Sequence, residues 1–463
     1  MTARPNYRRI AVLDIGKTNA KVVVLDAQSG AEIATVRTTN AVLKTGPYPH
    51  YDIERLWDFV IGALKDFAAA PGFDAISITT HGASAVLLAA DGSLALPVLD
   101  YEHTYPDSVH DAYERLRPPF SETFSPKLPG GLNVGAQIHY QKSQFPDEFS
   151  RVRAILTYPQ YWAFRLTGVA ANEVTSLGCH TDLWNPTTGA YSSLVDTLGI
   201  RPLMAPIRSA FDALGPILPK IAVEIGVDAP VPVYCGIHDS NASLLPHLVE
   251  NEAPFAVVST GTWVISFAVG GDLEHLDPTR DTLANVDAYG RTVPSSRFMG
   301  GREFEILAGE IGQVPPDAVD EVLETVIDKG LMLLPNVVEG SGPFPGKTMR
   351  WIGEASASPA ERLAAASLYL ALMTQACLGL IGAKGPIFVE GPFALNRAYL
   401  AALSALTASD VVALPGSTGT SQGAALLAGI RPAATMESQP VRAELRGLRD
   451  YWQAWHKALA SGW

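Results

Sequence analysis

An acid, a glycine, a hydroxyl and two lysines fall within eight residues near the start of the sequence, in Asp14-Ile15-Gly16-Lys17-Thr18-Asn19-Ala20-Lys21. Apolar runs of β type flank them, so the group reads as a turn between two strands. Such a turn can bring backbone N–H groups against a phosphate, because Gly16 has no Cβ to hold the ligand off. Thr18 and Asn19 add neutral donors, and Lys17 or Lys21 adds positive charge. Asp14, at the end of a buried strand, can orient the waters that Mg2+ keeps around itself. Taken alone, the segment also reads as a plain hairpin with solvated lysines.

A second turn of the same make-up, Ser259-Thr260-Gly261-Thr262-Trp263, again joins two β runs. Two such turns, one in each half of the chain, suit a polyphosphate held from two sides. Between them lies Gly236-Ile237-His238-Asp239-Ser240-Asn241-Ala242, which sets an acid at the junction of a strand and a helix. A carboxylate there can take the proton of a hydroxyl as it attacks phosphorus, in a reaction that otherwise needs positioning and charge neutralisation. An Asp before a helix is also the ordinary helix cap. Tyr101, Glu102, His103 and Tyr105 offer rings and hydrogen-bonding groups to a polyhydroxy ligand.

The elements that position these residues follow from periodicity. Residues 9–15, 20–26 and 32–38 read as an antiparallel meander, and 52–70 as a helix with Leu56, Val60, Leu64 and Phe67 on one face behind an Asp52 cap. A buried strand is expected at 73–80, and strands 86–89 and 94–98 flank the hairpin signal Asp91-Gly92. The stretch 101–135, rich in Pro, His and charges, reads as loop. Strand 231–237 and helix 240–248 close the first half. The same grammar then restarts: strands 255–260 and 264–269, a helical region from about 302, helix 359–381, strand 386–390, helix 396–407, strand 410–414 and helix 423–428. A final amphipathic helix is expected at 441–462.

The reading is α/β, with residues 1–248 and 249–440 as two similar domains around a central cleft and 441–463 as a terminal helix.

Composition sets outer limits. The chain has 463 residues and a net charge of −13, which argues against nucleic acid or an anionic membrane as partner. Cys179, Cys235 and Cys377 have no metal-ligand spacing and read as reduced buried thiols, which fits the cytoplasm. Residues 363–383 carry no charge and are long enough to span a bilayer. Their Ala, Ser, Thr and Gln content and the capping box at Ser358-Pro359-Ala360-Glu361 favour a core helix instead.

The paired turns and the acid between them resemble the FGGY carbohydrate kinases, whose fold is a pair of ribonuclease-H-like domains of the actin-like ATPase type. Asp14, Gly16, Thr18 and Lys21 match that family's first phosphate motif, and Ser259, Gly261 and Thr262 the second. Lys17 stands where the family often has Thr. Asp239 matches the family's catalytic base in its Gly-x-x-Asp segment, and the His238-Asp239-Ser240 form is similar to the rhamnulokinase-like branch. In Thr79-Thr80-His81-Gly82-Ala83 the resemblance places substrate contacts at His81 and Gly82, with Tyr101 and His238 beside them. A Trp is usual where His81 stands.

Val389-Glu390-Gly391-Pro392-Phe393-Ala394-Leu395-Asn396 resembles the adenosine motif through Gly391 and Asn396, with Pro392 in place of a second glycine. Residues 419–425 resemble a small-residue helix that serves close packing. The resemblance implies ATP and Mg2+ as cofactors and a small sugar as substrate, chosen from deoxyketohexoses or pentuloses related to L-rhamnulose, L-fuculose and xylulose. It implies a homodimer by analogy alone. A nucleotide-dependent switch of the actin or Hsp70 kind, or an inactive binding protein, remain the alternatives at this stage.

Overall fold

The computed structural model describes residues 7–415, 419–430 and 439–461. They form two compact units. The first holds the described residues up to Glu250 together with 284–292 and 419–430, and the second holds the rest. The first unit thus takes in two short segments from the second half of the chain, which a single cut in the sequence does not anticipate.

In the first unit, β1 (Arg9–Ile15), β2 (Asn19–Asp26) and β3 (Glu32–Thr39) form the expected meander, with Val12 opposite Val23 and Val23 opposite Thr35. Helix α1 (Ile53–Ala69) starts behind Asp52, whose carboxylate accepts from the Arg55 N–H, and buries Leu56, Val60, Leu64 and Phe67. It leads into β4 (Ala75–Thr80), which is fully buried and lies parallel to β1. The strands β5 (Ala213–Pro216), β6 (Pro232–Tyr234) and β7 (Ile237–His238) complete a sheet in the order β5-β6-β4-β1-β2-β3, with β7 also paired to β4.

One strand was expected over 231–237. It is broken at Gly236, which takes a φ of +91°, and a Cβ there would sit 3.1 Å from the Ile78 carbonyl oxygen. Both halves pair with β4, but the register slips by one residue at the break, from Val233 opposite Ile76 to Ile237 opposite Thr79. As a result β1, β4 and β7 all end on one level: Ile15 lies opposite Thr80, and Thr80 opposite His238. Helix α2 (Asp239–Glu250) starts there.

Two other expectations are corrected. The Asp91-Gly92 turn exists, with Asp91 accepting from Ser93, but residues 94–98 are not a strand. The turn joins Leu88 to Leu94 in a single antiparallel bridge, with the Ala89 N–H donating to the Ser93 carbonyl and the Ala95 N–H to the Leu87 carbonyl, while Ala85–Leu88 finds its full strand partner in Ala154–Thr157. The 101–135 stretch is not all loop, since it contains the helices Asp107–Glu114 and Phe120–Thr123.

The second unit repeats the pattern. Strands β8 (Phe255–Thr260), β9 (Val264–Val269) and β10 (Thr292–Phe298) run antiparallel, followed by α3 (Gly300–Ile311), α4 (Pro359–Leu380), β11 (Ile387–Glu390), α5 (Arg397–Thr407) and β12 (Val411–Leu414). Strand order across these is β10-β9-β8-β11-β12, with β11 parallel to β8. Helix α4 is the core: Leu368, Tyr369, Leu370, Ala371 and Met373 are fully buried within the same cluster as Val258, Phe298 and Trp455. Its apolar surface is therefore covered by protein, as the capping box predicted. Ser358 accepts from the Glu361 N–H, and Glu361 accepts from the Ser358 N–H at 2.8 Å. The last helix spans Leu448–Ala460, shorter than expected, because Val441 pairs with Val411 instead of entering it. Cys179, Cys235 and Cys377 are buried and form no disulfide.

Ser358→Ala removes one half of the capping box without touching the core. We expect a loss of about 1 kcal/mol in stability, read as a lower urea midpoint with an unchanged slope. An unchanged midpoint would show that the cap contributes nothing here.

Candidate active site

The first unit brings its chemistry to the level where β1, β4 and β7 end together. Parallel strands deliver their following loops side by side at their carboxyl ends, which is where open α/β sheets bind ligands. The three loops carry Gly16–Asn19, His81–Ala83 and Asp239.

Asp239 is the first residue of α2, and its Oδ1 accepts from the Ser240 N–H at 2.6 Å. Its side chain keeps 31% of its surface exposed. The carboxylate nonetheless sits low enough in the protein for burial to push its pKa up to about 6, opposed by His81 and the Ser240 N–H and assisted by the charge of Asp14. His238 Nε2 lies 3.1 Å from Asp239 Oδ1. Burial pushes the His238 pKa down to about 4, so the ring is neutral near pH 7. Asn241 Nδ2 approaches His238 Nδ1 at 3.4 Å, and an amide there can only donate. The proton is thereby held on Nε2, which donates to Asp239.

The backbone beneath is fixed by buried polar groups. His238 N–H donates to Thr175 Oγ1, which donates to Glu173 Oε2. Burial pushes the Glu173 carboxyl up to about 7. Gln160 ties the break between β6 and β7 by donating to the Cys235 and Gly236 carbonyls, both at 3.0 Å. Gly82 makes room for the histidine, since a Cβ there would lie 2.7 Å from His238 Nε2. Ala83 follows with a φ of +55°, a strained conformation for a residue with a Cβ.

His81 is 5% exposed, and its ring packs among Tyr51, Tyr101 and Tyr158 at centroid distances of 5.0, 5.6 and 4.8 Å. Its Nδ1 donates to the Gly82 carbonyl at 2.8 Å, which makes Nε2 an acceptor. That Nε2 is buried with no partner among the described residues, as is Gln137 Oε1, whose amide nitrogen holds the Ala83 and Gly131 carbonyls. One acceptor on the loop after β4 and one on the helix Val134–Gln144 are thus left for donors from outside the chain.

The Gly16 turn is closed by a bond from the Gly16 N–H to the Asn19 carbonyl at 2.9 Å, and Thr18 and Asn19 are exposed at its tip. Asp14 is 8% exposed. Among the described residues its hydrogen bonds all land on Oδ2, from Thr420 and from Ser421 at 2.7 Å, and Lys21 Nζ stands 3.6 Å from the same oxygen. Oδ1 is left for an outside ligand. One buried carboxylate oxygen backed by hydroxyls suits a cation that keeps its own waters, as Mg2+ does. No group of three or more metal-binding side chains occurs among the described residues, so any such ion relies on water and substrate oxygens.

Lys17, expected to add charge to the phosphate turn, is engaged within the chain. It is paired with Asp100 and lies over the Tyr101 ring, 4.6 Å from the centroid. Thr420 and Ser421 are the converse: assigned only to close packing, they also hold Asp14. The packing is real as well, since a Cβ on Gly423 would lie 1.7 Å from the Ala242 carbonyl oxygen. Spacings of 83 and 406 residues hide both contacts from any local reading of sequence.

In the second unit the Ser259–Trp263 turn is closed by the Gly261 N–H donating to the Trp263 carbonyl at 2.9 Å, and Gly261 and Thr262 are exposed. The start of α3 abuts it: Arg302 N–H donates to the Thr262 carbonyl, and a Cβ on Gly301 would lie 1.7 Å from the Gly261 oxygen. A helix start beside a glycine turn favours phosphate. Thr260 Oγ1 donates to the Glu390 carbonyl and accepts from the Phe393 N–H at 3.0 Å, which clamps Gly391 against the turn. Gly391 has a φ of +81°, and a Cβ there would lie 2.0 Å from the Thr260 oxygen. Asn396 caps α5: its Oδ1 accepts from the Tyr399 N–H and its Nδ2 donates to Ser367 Oγ. A depression of about 1080 Å3 in this unit is lined by Gln375, Arg442, Arg449 and Trp452, and by none of the residues above.

Comparison with known proteins gives the following. Residues 9–246 match the profile described as the FGGY family of carbohydrate kinases, N-terminal domain, and residues 252–438 that of the carbohydrate kinase FGGY, C-terminal domain. A solved carbohydrate kinase from Novosphingobium aromaticivorans is 36% identical, with 98% of each chain covered and a TM-score of 0.89. A solved xylulose kinase from Lactobacillus acidophilus shares the fold at 17% identity, with 98% of this chain and 99% of that one covered and a TM-score of 0.79. Among curated proteins, a rhamnulokinase from Halalkalibacterium halodurans is 25% identical over 54% of each chain. An L-fuculokinase from Salmonella typhi is 24% identical over 57% of each. The chain spans just over half the length of these curated relatives.

The protonation states can be read directly. In a carboxyl-13C and imidazole-15N NMR titration of the full chain, Asp239 is expected to titrate near pH 6, with both His81 and His238 neutral down to about pH 4. Gly82→Ala is expected to shift the Asp239 midpoint by displacing the His238 ring. An Asp239 midpoint near the ordinary 3.8 would mean that burial does not govern this carboxylate.

Proposed function

Because the chain belongs to the FGGY family of carbohydrate kinases, we propose that it transfers the γ-phosphoryl group of ATP to one hydroxyl of a small, uncharged ketose, with Asp239 as the base. The observation that carries this reading is the state of Asp239: a carboxylate raised to about 6, partly open, and oriented by a neutral histidine. A base of that strength is ionised at neutral pH yet strong enough to accept a hydroxyl proton as the oxygen attacks. The ketose is suggested by the names of the relatives, rhamnulokinase and L-fuculokinase.

In this reading His81 Nε2 accepts from a sugar hydroxyl and Tyr101 forms one wall of the pocket. His238 and Gly82 act on Asp239, one by donating to it and the other by leaving space for that donor. The turn Gly16, Thr18 and Asn19 meets the terminal phosphates, with Lys21 adding charge beside Asp14. Within the second unit, the turn at Gly261 and Thr262 is suited to phosphate, and Gly391 lets backbone approach a nucleoside. Asn396 supports that segment as a cap, both of its amide atoms being engaged within the chain. Asp14 would hold Mg2+ through water, and that ion when bound neutralises charge on the phosphates. The buried thiols and the need for ATP point to the cytoplasm as the compartment.

The test is ADP release from MgATP against a panel of ketoses, aldoses, polyols and sugar acids, with Asp239→Asn in parallel. We expect one ketose to stimulate release, and the variant to lose about 10²–10⁴ in kcat. The parent's kcat/KM should fall about tenfold per pH unit below pH 6, as the base is protonated. Stability should move the other way. The folded pKa exceeds the unfolded one, so this residue stabilises most below 3.8, and that contribution is lost as pH rises through about 6. At pH 8 Asp239→Asn should therefore melt no lower than the parent. A variant as active as the parent would remove Asp239 from the role of base.

A further inference from the structure

We propose that Lys17 and Asp100 are the pair that reads the substrate, and that they select an uncharged polyhydroxy chain over a sugar acid. The inference rests on the kinase reading above and adds the residues that decide substrate charge.

Lys17 leaves the glycine turn and enters an aromatic corner. Its Nζ bonds Asp100 Oδ1, stands 3.5 Å from Glu102 Oε2, and lies 4.6 and 5.1 Å from the ring centroids of Tyr101 and Tyr51. The side chain is 17% exposed. Tyr51 and Tyr101 are the same rings that flank His81, whose buried Nε2 has no partner among the described residues. The ammonium therefore shares a wall with an orphaned acceptor. To reach a phosphate it would have to leave a close carboxylate partner and two ring faces, and give up all three contacts.

The charges in this corner decide what it can hold. One ammonium faces two carboxylates, so the local sum is −1. An incoming carboxylate would meet a cation already neutralised and two anions that repel it. A hydroxyl meets neither problem. Lys17 has donors to spare beyond the one on Asp100. The bonds to Asp100 from Lys17, Glu102 N–H and Tyr51 OH all land on Oδ1, which leaves Oδ2 as an acceptor among the described residues. A donor and an acceptor side by side match neighbouring hydroxyls on one carbon chain, and the ring faces match its C–H surface. Lys17 and Asp100 are thus specificity-determining residues, distinct from the base.

The experiment uses the full-length protein and measures kcat and KM with L-rhamnulose, L-fuculose and L-xylulose as neutral probes, D-gluconate as the acid probe, and ATP varied separately. Lys17→Met is expected to lower kcat/KM for the preferred ketose by about 100-fold, the cost of leaving buried polar groups unpaired, with KM for ATP held within about twofold. Asp100→Asn, which is isosteric, uncovers the cation and should shift the ketose-to-gluconate ratio of kcat/KM toward the acid by about tenfold or more.

A Lys17→Met enzyme with raised KM for ATP and unchanged ketose kinetics would return Lys17 to the phosphate. A parent that prefers gluconate, or an Asp100→Asn ratio that does not move, would overturn the proposal. If Lys17→Met fails to fold on a thermal melt, the Asp100→Asn ratio decides alone. Asp239→Asn assayed beside them separates the two readings: its outcome bears on the base, and the ratios bear on the pair.

Discussion

The first unit is organised around one electrostatic requirement, an anion at Asp239 in a place where burial favours the neutral acid. Pairing the carboxylate with a cation would relieve that cost but lower its basicity, because an adjacent positive charge stabilises the ionised form. The chain meets the requirement otherwise. Its two nearest titratable neighbours, His81 and His238, are pushed to about 4 by their own burial and stay neutral. The cation in the neighbourhood, Lys17, is engaged by Asp100. Asp239 receives a neutral N–H from His238, and the backbone N–H and hydroxyl of Ser240. These orient the group without neutralising it.

Backbone geometry is what makes that arrangement possible. His238 can lie against Asp239 only because Gly82 offers no Cβ, and Gly82 is placed by β4 ending level with β7. That level depends in turn on the break at Gly236, held by Gln160. The second unit applies the same device with fewer charges. Gly301 against Gly261 and Gly391 against Thr260 are approaches no side chain would permit, and they pack a helix start and a strand end onto one turn. In both units the precise element is bare backbone, while the side chains that touch it are anchored elsewhere by hydrogen bonds.

This explains how much could be read in advance. The meanders, α1 with its Asp52 cap, α4 with its capping box and the two glycine turns all depend on residues within a few positions of one another, and periodicity and turn chemistry record them. The break at Gly236 is hidden because an apolar run reads as one strand, whereas the one-residue slip in register shows only against the partner strand β4. The hairpin at Asp91-Gly92 forms, with Leu88 bridging Leu94, but its second arm stops there, and the first arm finds its full strand partner far away in sequence at 154–157. Within the site, Asp14, His81 and Asp239 stand at strand ends and were legible as such. Asp100, Glu173, Thr175 and Gly301 act through contacts that cross the sequence, and no spacing rule points to them.

Asn396, Thr420 and Ser421 all direct side-chain hydrogen bonds to other side chains far away in sequence. Asn396 has its oxygen on a helix N–H and its nitrogen on Ser367, so it shapes the segment as a cap. Thr420 and Ser421, expected only to pack, instead give two hydroxyls to a single oxygen of Asp14. A lysine alone beside that carboxylate would leave it free to rotate, and Lys21 at 3.6 Å is shared with Glu32. Two short hydroxyl bonds to Oδ2 fix the plane of the group, and with it the direction of Oδ1. A cation that holds its waters in strict octahedral positions needs that fixed direction more than it needs a second charge. The small-residue helix therefore does for Asp14 what His238 does for Asp239, setting a carboxylate's orientation with neutral donors and leaving its charge available.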